Sequence, residues 1–196
     1  MKLILILSLI IITLTACEEN REQTQKDEVP EYGTSRSMPV KVEKEITVGE
    51  ATTKIIDTGI NRISNINLAC ESISGTAVKP GEEFSFNEVV GKRSKERGYK
   101  DAPIIFHGEK SYGTGGGVCQ VSTTVYMAAL NAGLEITERH THSEKVSYAP
   151  GTDATVVYGE KDMKFKNNTA DTVYIYAWAQ NETVFGKIVK KEYENP

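Results

Sequence analysis

Apolar positions change period several times along this chain, and each change marks an element. Thr47 to Asp57 is rich in β-branched residues and reads as an extended segment. Ile63, Ile66, Leu68, Ala69, Cys70 and Ile73 then share roughly one side of a helix, capped by Asn61 or Ser64 and ended by Gly75. Lys79-Pro80-Gly81-Glu82 is a turn, and Phe84-Ser85-Phe86 alternates apolar and polar. The charged stretch from Gly91 to Lys100 is a surface loop or short helix, and Ala102 to Phe106 is a strand. After Cys119 the period is helical again. Val121, Val125, Ala128, Ala129 and Ala132 fall on one face, and Asn131 and Gly133 suit its end. From Leu134 the pattern turns to β. The expected strands are Leu134 to Arg139, Lys145 to Tyr148, Ala154 to Tyr158 and Met163 to Lys166, then a hairpin joining Thr172–Ala179 to Thr183–Val189. Along that hairpin Val173, Ile175 and Ala177 alternate with Tyr174, Tyr176 and Trp178, and Trp178 is expected to serve the core. About two helices and seven strands, the strands mostly antiparallel toward the C-terminus, define a single α+β domain.

The N-terminus has a different pattern. Lys2 precedes the apolar run L-I-L-I-L-S-L-I-I-I-T-L, which has signal-peptide proportions and is short for a bilayer span. It ends in Leu14-Thr15-Ala16-Cys17, which resembles the lipobox of bacterial lipoprotein precursors, with Cys17 as the residue that accepts lipid. Residues 1–16 are therefore expected to be a lipoprotein signal peptide. Residues 17–45, polar and nearly free of large aliphatics, are expected to form a lipidated tether, and residues 46–196 the domain. Anchoring by several acyl chains would hold the protein on the extracytoplasmic face of the cell membrane. The formal charge is −4, and about −5 once Lys2 is removed with the signal. An acidic chain without a basic run argues against nucleic-acid binding. Beyond Cys17 two thiols remain, Cys70 and Cys119. Cys70, on the apolar helix face, reads as a small buried hydrophobe rather than half of a disulfide.

Most of the candidate chemistry lies between residues 113 and 143. Gly113, Gly115, Gly116 and Gly117 run directly into Cys119, which opens the second helix, and a strand-like run then delivers His140 and His142. A thiol at a helix N-terminus sits in the positive end of the helix dipole, which favours thiolate. Glycines before it allow close backbone approach and leave N–H groups to face an anion. No Lys-Ser/Thr follows the glycines, so the loop is not a phosphate-binding P-loop.

Several stretches resemble the VanW family, named after an accessory protein of vancomycin-resistance gene clusters. They include Lys79-Pro-Gly-Glu-Glu-Phe-Ser-Phe-Asn-Glu-Val-Val-Gly91, Glu96-Arg-Gly-Tyr-Lys-Asp-Ala-Pro103, Gly115-Gly-Gly-Val-Cys-Gln-Val-Ser-Thr-Thr124 and Glu138-Arg-His-Thr-His-Ser143. Lys92 and Thr141 stand where the family often has proline. The resemblance implies a bacterial cell-envelope protein linked by name to glycopeptide resistance, and it supplies no reaction.

Two functions remain open on the sequence. In the first, the protein is a binding or accessory module. Gly115, Gly116 and Gly117, with Gln120, Ser122 and Thr123, would cradle a cell-wall peptide or peptidoglycan end, and Tyr99, Tyr112, Tyr148 and Tyr158 would flank the groove. In the second, Cys119 is the nucleophile of an amide hydrolase or acyl transferase, His140 or His142 its base and Asp153 the orienting carboxylate. A metal held by His140 and His142 with Cys119 or His107 is a third arrangement. Paired-cysteine spacings are absent, so neither metal nor cofactor is expected. Arg139 is expected to point away from the histidines as an ion-pair partner.

Overall fold

A computed structural model of the protein describes residues 42–106 and 109–194. The expected signal peptide, Cys17 and the tether as far as residue 41 lie outside the described residues, as does His107. The described chain begins in β1, Val42–Lys54, which pairs antiparallel with the last strand, β9, Thr183–Glu194. Residues 42–45, expected in the tether, are therefore already sheet.

The expected α+β architecture is the observed one, with strands that pair antiparallel throughout. β8, Val173–Gln180, pairs with β9 on one side and with β2, Thr76–Val78, on the other, which completes a four-stranded sheet in the order β1-β9-β8-β2. Asn181 and Glu182, both at positive φ, make the two-residue turn of the β8–β9 hairpin. Two helices cover the inner face of this sheet. α1, Ile60–Ile73, lies on β8, and α3, Val118–Asn131, lies on β1 and β9. Ile66, Ala69 and Ile73 of α1, Val121, Val125, Ala128 and Ala129 of α3, and Val173, Ile175, Val184 and Ile188 of the sheet form the fully buried core. Alternation along β8 sends Val173, Ile175 and Ala177 inward, so Trp178 faces outward. It is 39% exposed and stacks on Phe185, ring centroids 5.0 Å apart, rather than serving the core.

A second sheet, in the order β3-β7-β6, joins β3, Glu83–Ser85, to β7, Lys164–Lys166, and β6, Glu135–Glu138. Phe84 stacks on Phe165 across it. β3 runs straight into the short helix α2, Phe86–Val90, capped by Ser85. The third sheet is a hairpin of β4, Asp101–Phe106, and β5, Glu109–Thr114, which leads into the glycine loop before α3.

The segments 145–148 and 154–158, expected as strands, are not strands. Only an isolated bridge, Val157 to Lys161, occurs there. Val146, Ala149, Ala154 and Val156 are nevertheless buried. Their apolar character packs a long connection onto the domain, and the backbone bonds of that connection go elsewhere, Thr155 N–H to the His140 carbonyl for instance. Cys70 is buried and unbridged, and its thiol is pushed up to about 12, chiefly by burial.

α3 is pressed against the sheet where glycines leave room. A register shift between Thr47 and Gly49 bulges β1, and a Cβ on Gly49 would lie 2.4 Å from the Ala128 carbonyl oxygen and 2.6 Å from Ala132 Cβ. Gly49→Ala should therefore destabilise the protein by about 2 kcal/mol, read as a lower urea midpoint at unchanged m. A loss below about 0.5 kcal/mol would show that the strand can leave the helix at no cost.

Candidate active site

The glycine loop is built before any ligand is considered. Gly115 and Gly117 have φ of +89° and +108°, and Gly117 is the N-cap of α3. Gly116 has no room for a side chain, because a Cβ there would lie 2.6 Å from the Pro103 carbonyl oxygen. Asn65 of α1, fully buried, holds the loop in place. Its Nδ2 donates to the carbonyls of Gly116 and Lys100, and its Oδ1 accepts from Lys100 N–H. The Gly115 N–H is used up on the Lys100 carbonyl, whereas the Cys119 N–H has no acceptor among the described residues. The Gly115 amide is therefore spoken for, while the Gly116 and Gly117 amides, like that of Cys119, have no acceptor among the described residues.

Cys119 is the second residue of α3 and is half-buried. Its Sγ lies 3.5 Å from Thr155 Oγ1 and 3.6 Å from the Val156 carbonyl oxygen, and it also interacts with the His142 side chain. Burial is the largest single influence and pushes the thiol upward. Contact with His142 and with the Thr155 hydroxyl, together with the charge of His142, outweighs it and holds the thiol at about 7. The reciprocal effect acts on His142: burial disfavours the imidazolium, and contact with Cys119 and Asp153 overcomes it and raises the ring.

His142 is itself held firmly. Asp153 Oδ2 accepts from both its backbone N–H and its ring Nδ1–H, each at 2.7 Å. The tautomer follows from this bond and leaves Nε2 free for the sulfur side. Burial works against the Asp153 carboxylate, and the two donors more than offset it, holding the group below the usual range. Tyr148 packs edge-on against the imidazole, centroids 6.5 Å apart, and burial raises its phenol.

The loop carrying Asp153 is tied to the helix carrying Cys119. Thr123 Oγ1 accepts from Ala154 N–H at 2.9 Å and donates to the Cys119 carbonyl at 2.8 Å. Arg139 donates to the carbonyls of Asp153 and Gly151, and its guanidinium lies over the Tyr126 ring. Arg139 therefore positions the acidic loop and is not the ion-pair partner expected from sequence.

Other candidates are placed elsewhere. His140 turns away to Glu138, 3.0 Å from its carboxylate, because β6 ends at Glu138 and the two histidines do not share a strand face. Ser122 and Thr123, expected to touch ligand, are completely buried, Thr123 in the tie just described. Gln120 is also buried. Its amide donates to Thr53 and to the Lys54 carbonyl and accepts from Arg62, so it braces the floor of the site. Among the described residues no group of three or more His, Cys, Asp or Glu side chains is arranged to hold a metal ion.

A cleft of about 910 Å³ opens onto this arrangement. Gly115, Gly116, Gly117, Cys119, Gln120 and His142 line it, together with Tyr112, Tyr148 and Tyr158, whereas Tyr99 is buried away from it. Arg62, Lys92, Arg93 and Lys145 also face the cleft, against Asp57. The sequence reading missed these cations and Thr155. Arginines in a loop look like solvated charge until folding turns them inward.

The fold and site together define an α+β domain with a thiol, an imidazole and a carboxylate in series at the head of a helix, open to a cleft. The family model described as VanW like protein matches residues 61–189, and the chain belongs to that family. It is 44% identical to YoaR of Bacillus subtilis (strain 168) over 131 residues, which make up 66% of this chain and 43% of YoaR. It is 33% identical to the Vancomycin B-type resistance protein VanW of Enterococcus faecalis (strain ATCC 700802 / V583) over 134 residues, 65% of this chain and 49% of that protein. The chain thus matches somewhat less than half the length of each curated relative. No solved structure matches it.

The two thiols should differ sharply in reactivity. Iodoacetamide labelling followed by mass spectrometry should modify Cys119 with a pH midpoint of about 7 and leave Cys70, held near 12, unmodified in the folded protein. In His142→Ala the contact and charge that favour the thiolate are gone and burial dominates, so the Cys119 midpoint should move upward past the free-thiol value of about 8.5. An unchanged midpoint would show that His142 does not govern the sulfur.

Proposed function

We propose that this protein is a cell-envelope acyl-transfer enzyme that uses Cys119 as nucleophile on amide bonds of cell-wall peptides. The observation that carries this is the series Cys119–His142–Asp153, with the thiol held at about 7 and the imidazole fixed at 2.7 Å by a buried carboxylate. The binding module, the other function open on the sequence, needs only the cleft. It gives no reason for a sulfur kept near neutrality or for a histidine anchored by two bonds to one oxygen.

The steps follow from the positions of these groups. The thiolate attacks the substrate carbonyl carbon, an S–C bond forms, and the carbonyl oxygen takes negative charge facing the Cys119 N–H at the positive end of α3. The imidazolium of His142 gives its proton to the departing nitrogen as the C–N bond breaks, leaving a thioester and a free amine. An incoming amine or water then attacks the thioester, gives its proton to His142 and releases the thiolate. Asp153 stabilises the imidazolium throughout without taking the proton. Hydrogen bonds of this kind tighten when substrate binds, which fits a resting thiol turned toward Thr155 and Val156.

The location comes from the N-terminal segment. Signal-like residues 1–16 and the lipobox-like Leu14-Thr15-Ala16-Cys17 support a lipid anchor on the extracytoplasmic face of the membrane. Among the described residues no helix is long and apolar enough to cross a membrane. Similarity to a vancomycin resistance protein supports a substrate in the cell wall, where altered peptide ends would change what a glycopeptide antibiotic meets.

The test is incubation of the full-length protein with purified peptidoglycan and mass spectrometry of the released muropeptides. The wild type should create or rejoin peptide ends, Cys119→Ala should abolish the change, and Asp153→Asn should slow it by roughly 10²- to 10⁴-fold. Unchanged muropeptides alongside retention of the protein on intact wall would overturn catalysis in favour of binding.

A further inference from the structure

Arg93 stands on the wall of the cleft, and the fold places it there deliberately. Its Nη1 donates to Asn87 Oδ1 at 2.7 Å and to the Gly91 carbonyl at 2.9 Å. Asn87, itself buried, is held by its Nδ2 to the Val157 and Lys161 carbonyls and by its backbone N–H to the buried Asp162 carboxylate. The guanidinium lies 5.8 Å from the Tyr158 ring centroid. The stem of Arg93 packs on the glycine loop itself, since a Cβ on Gly115 would lie 2.8 Å from Arg93 Cβ.

One nitrogen of the guanidinium is thus committed to neutral acceptors. Its Nε and Nη2 have no acceptor among the described residues, and no carboxylate pairs with it there. Burial lowers its basicity, and the negative charge of Cys119 acts on it in the opposite sense, which puts it within electrostatic reach of the sulfur. Cys119 and the Asp162 carboxylate act on this half-buried cation without a hydrogen bond to it, so its unbound edge is left for an anion that enters the cleft. A planar fork with one edge tethered and the other unbound matches the two oxygens of a carboxylate.

We propose that Arg93 is a specificity residue that binds a carboxylate on the acyl donor, next to the carbonyl that Cys119 attacks. This rests on Cys119 acting as the nucleophile. The preferred substrates are then peptides carrying a free carboxylate beside the scissile amide, and amidation of that carboxylate weakens them.

Two alkylating reagents of nearly equal size provide the probe: iodoacetate carries the carboxylate, and iodoacetamide carries a neutral amide in its place. The rate of Cys119 modification by each is measured on the full-length protein at pH 7 and referred to the same ratio for free cysteine. Because both rates scale with the thiolate fraction, their ratio isolates recognition of the anion. The wild type should favour iodoacetate well above the free-cysteine ratio. Arg93→Gln should lower that ratio about tenfold, the worth of one charge-assisted bond, whatever the change in thiolate fraction does to the two rates alike. If Arg93→Gln does not fold, Arg93→Lys takes its place, since it keeps the charge and loses the fork, and it should lower the ratio likewise. A wild-type ratio no higher than that of free cysteine, or a ratio unchanged in Arg93→Gln, overturns the proposal while leaving the nucleophile intact. Failure of both reagents to label Cys119 overturns the nucleophile and this proposal with it.

Discussion

A sulfur withdrawn from water keeps a negative charge only if its surroundings replace the lost hydration. In this protein the replacement comes from three directions. α3 presents its N-terminal end, the 140–156 connection supplies His142 and Thr155, and Asp153 keeps the imidazole in the tautomer that serves the sulfur. Much of the fold can be read as the support for that balance. The four-stranded sheet positions α3, Asn65 shapes the loop at its head, and Thr123 ties the nucleophile's helix to the acidic loop. Cys70 shows the contrast. It is buried without such partners and stays a neutral thiol.

The elements with strong periodicity were legible in the sequence. The helix after Cys119 and the final hairpin follow from spacing and turn residues alone, and the inward set of β8 follows from alternation. The segments at 145–148 and 154–158 were not. Valine and alanine there are selected by burial, and burial does not distinguish a strand from a packed connection whose amides bond to side chains. Trp178 was misjudged for a related reason. A large aromatic suggests a core, yet its parity on the strand turns it outward to stack on Phe185.

The site was legible in part. Cys119, His142 and Asp153 could each be named from residue type and order, but the choice between His140 and His142 depends on where β6 ends, which no local pattern shows. Gln120, Ser122 and Thr123 looked like ligand contacts because they adjoin the cysteine. On a helix only one side of such a run can face the cleft: Gln120 reaches its floor with its amide committed to Thr53 and Lys54, Thr123 became an internal tie, and Ser122 a buried hydroxyl with no partner among the described residues. Asn65, Asn87 and Arg93 carry no signal of their own in the sequence. Asn65 and Asn87 gain meaning only when folding brings distant carbonyls within 3 Å of them, and Arg93 gains its place through Asn87.

The pairing of β1 with β9 has an architectural consequence. Val42 lies opposite Glu194, so the two ends of the described domain leave as neighbours at one corner of the sheet. A unit with adjoining ends can be spliced into the middle of another polypeptide, or have its own ends joined and be reopened in a surface turn, with little disturbance to its interior. Relatives more than twice as long as the region they share with this chain can accommodate such a unit without rebuilding it.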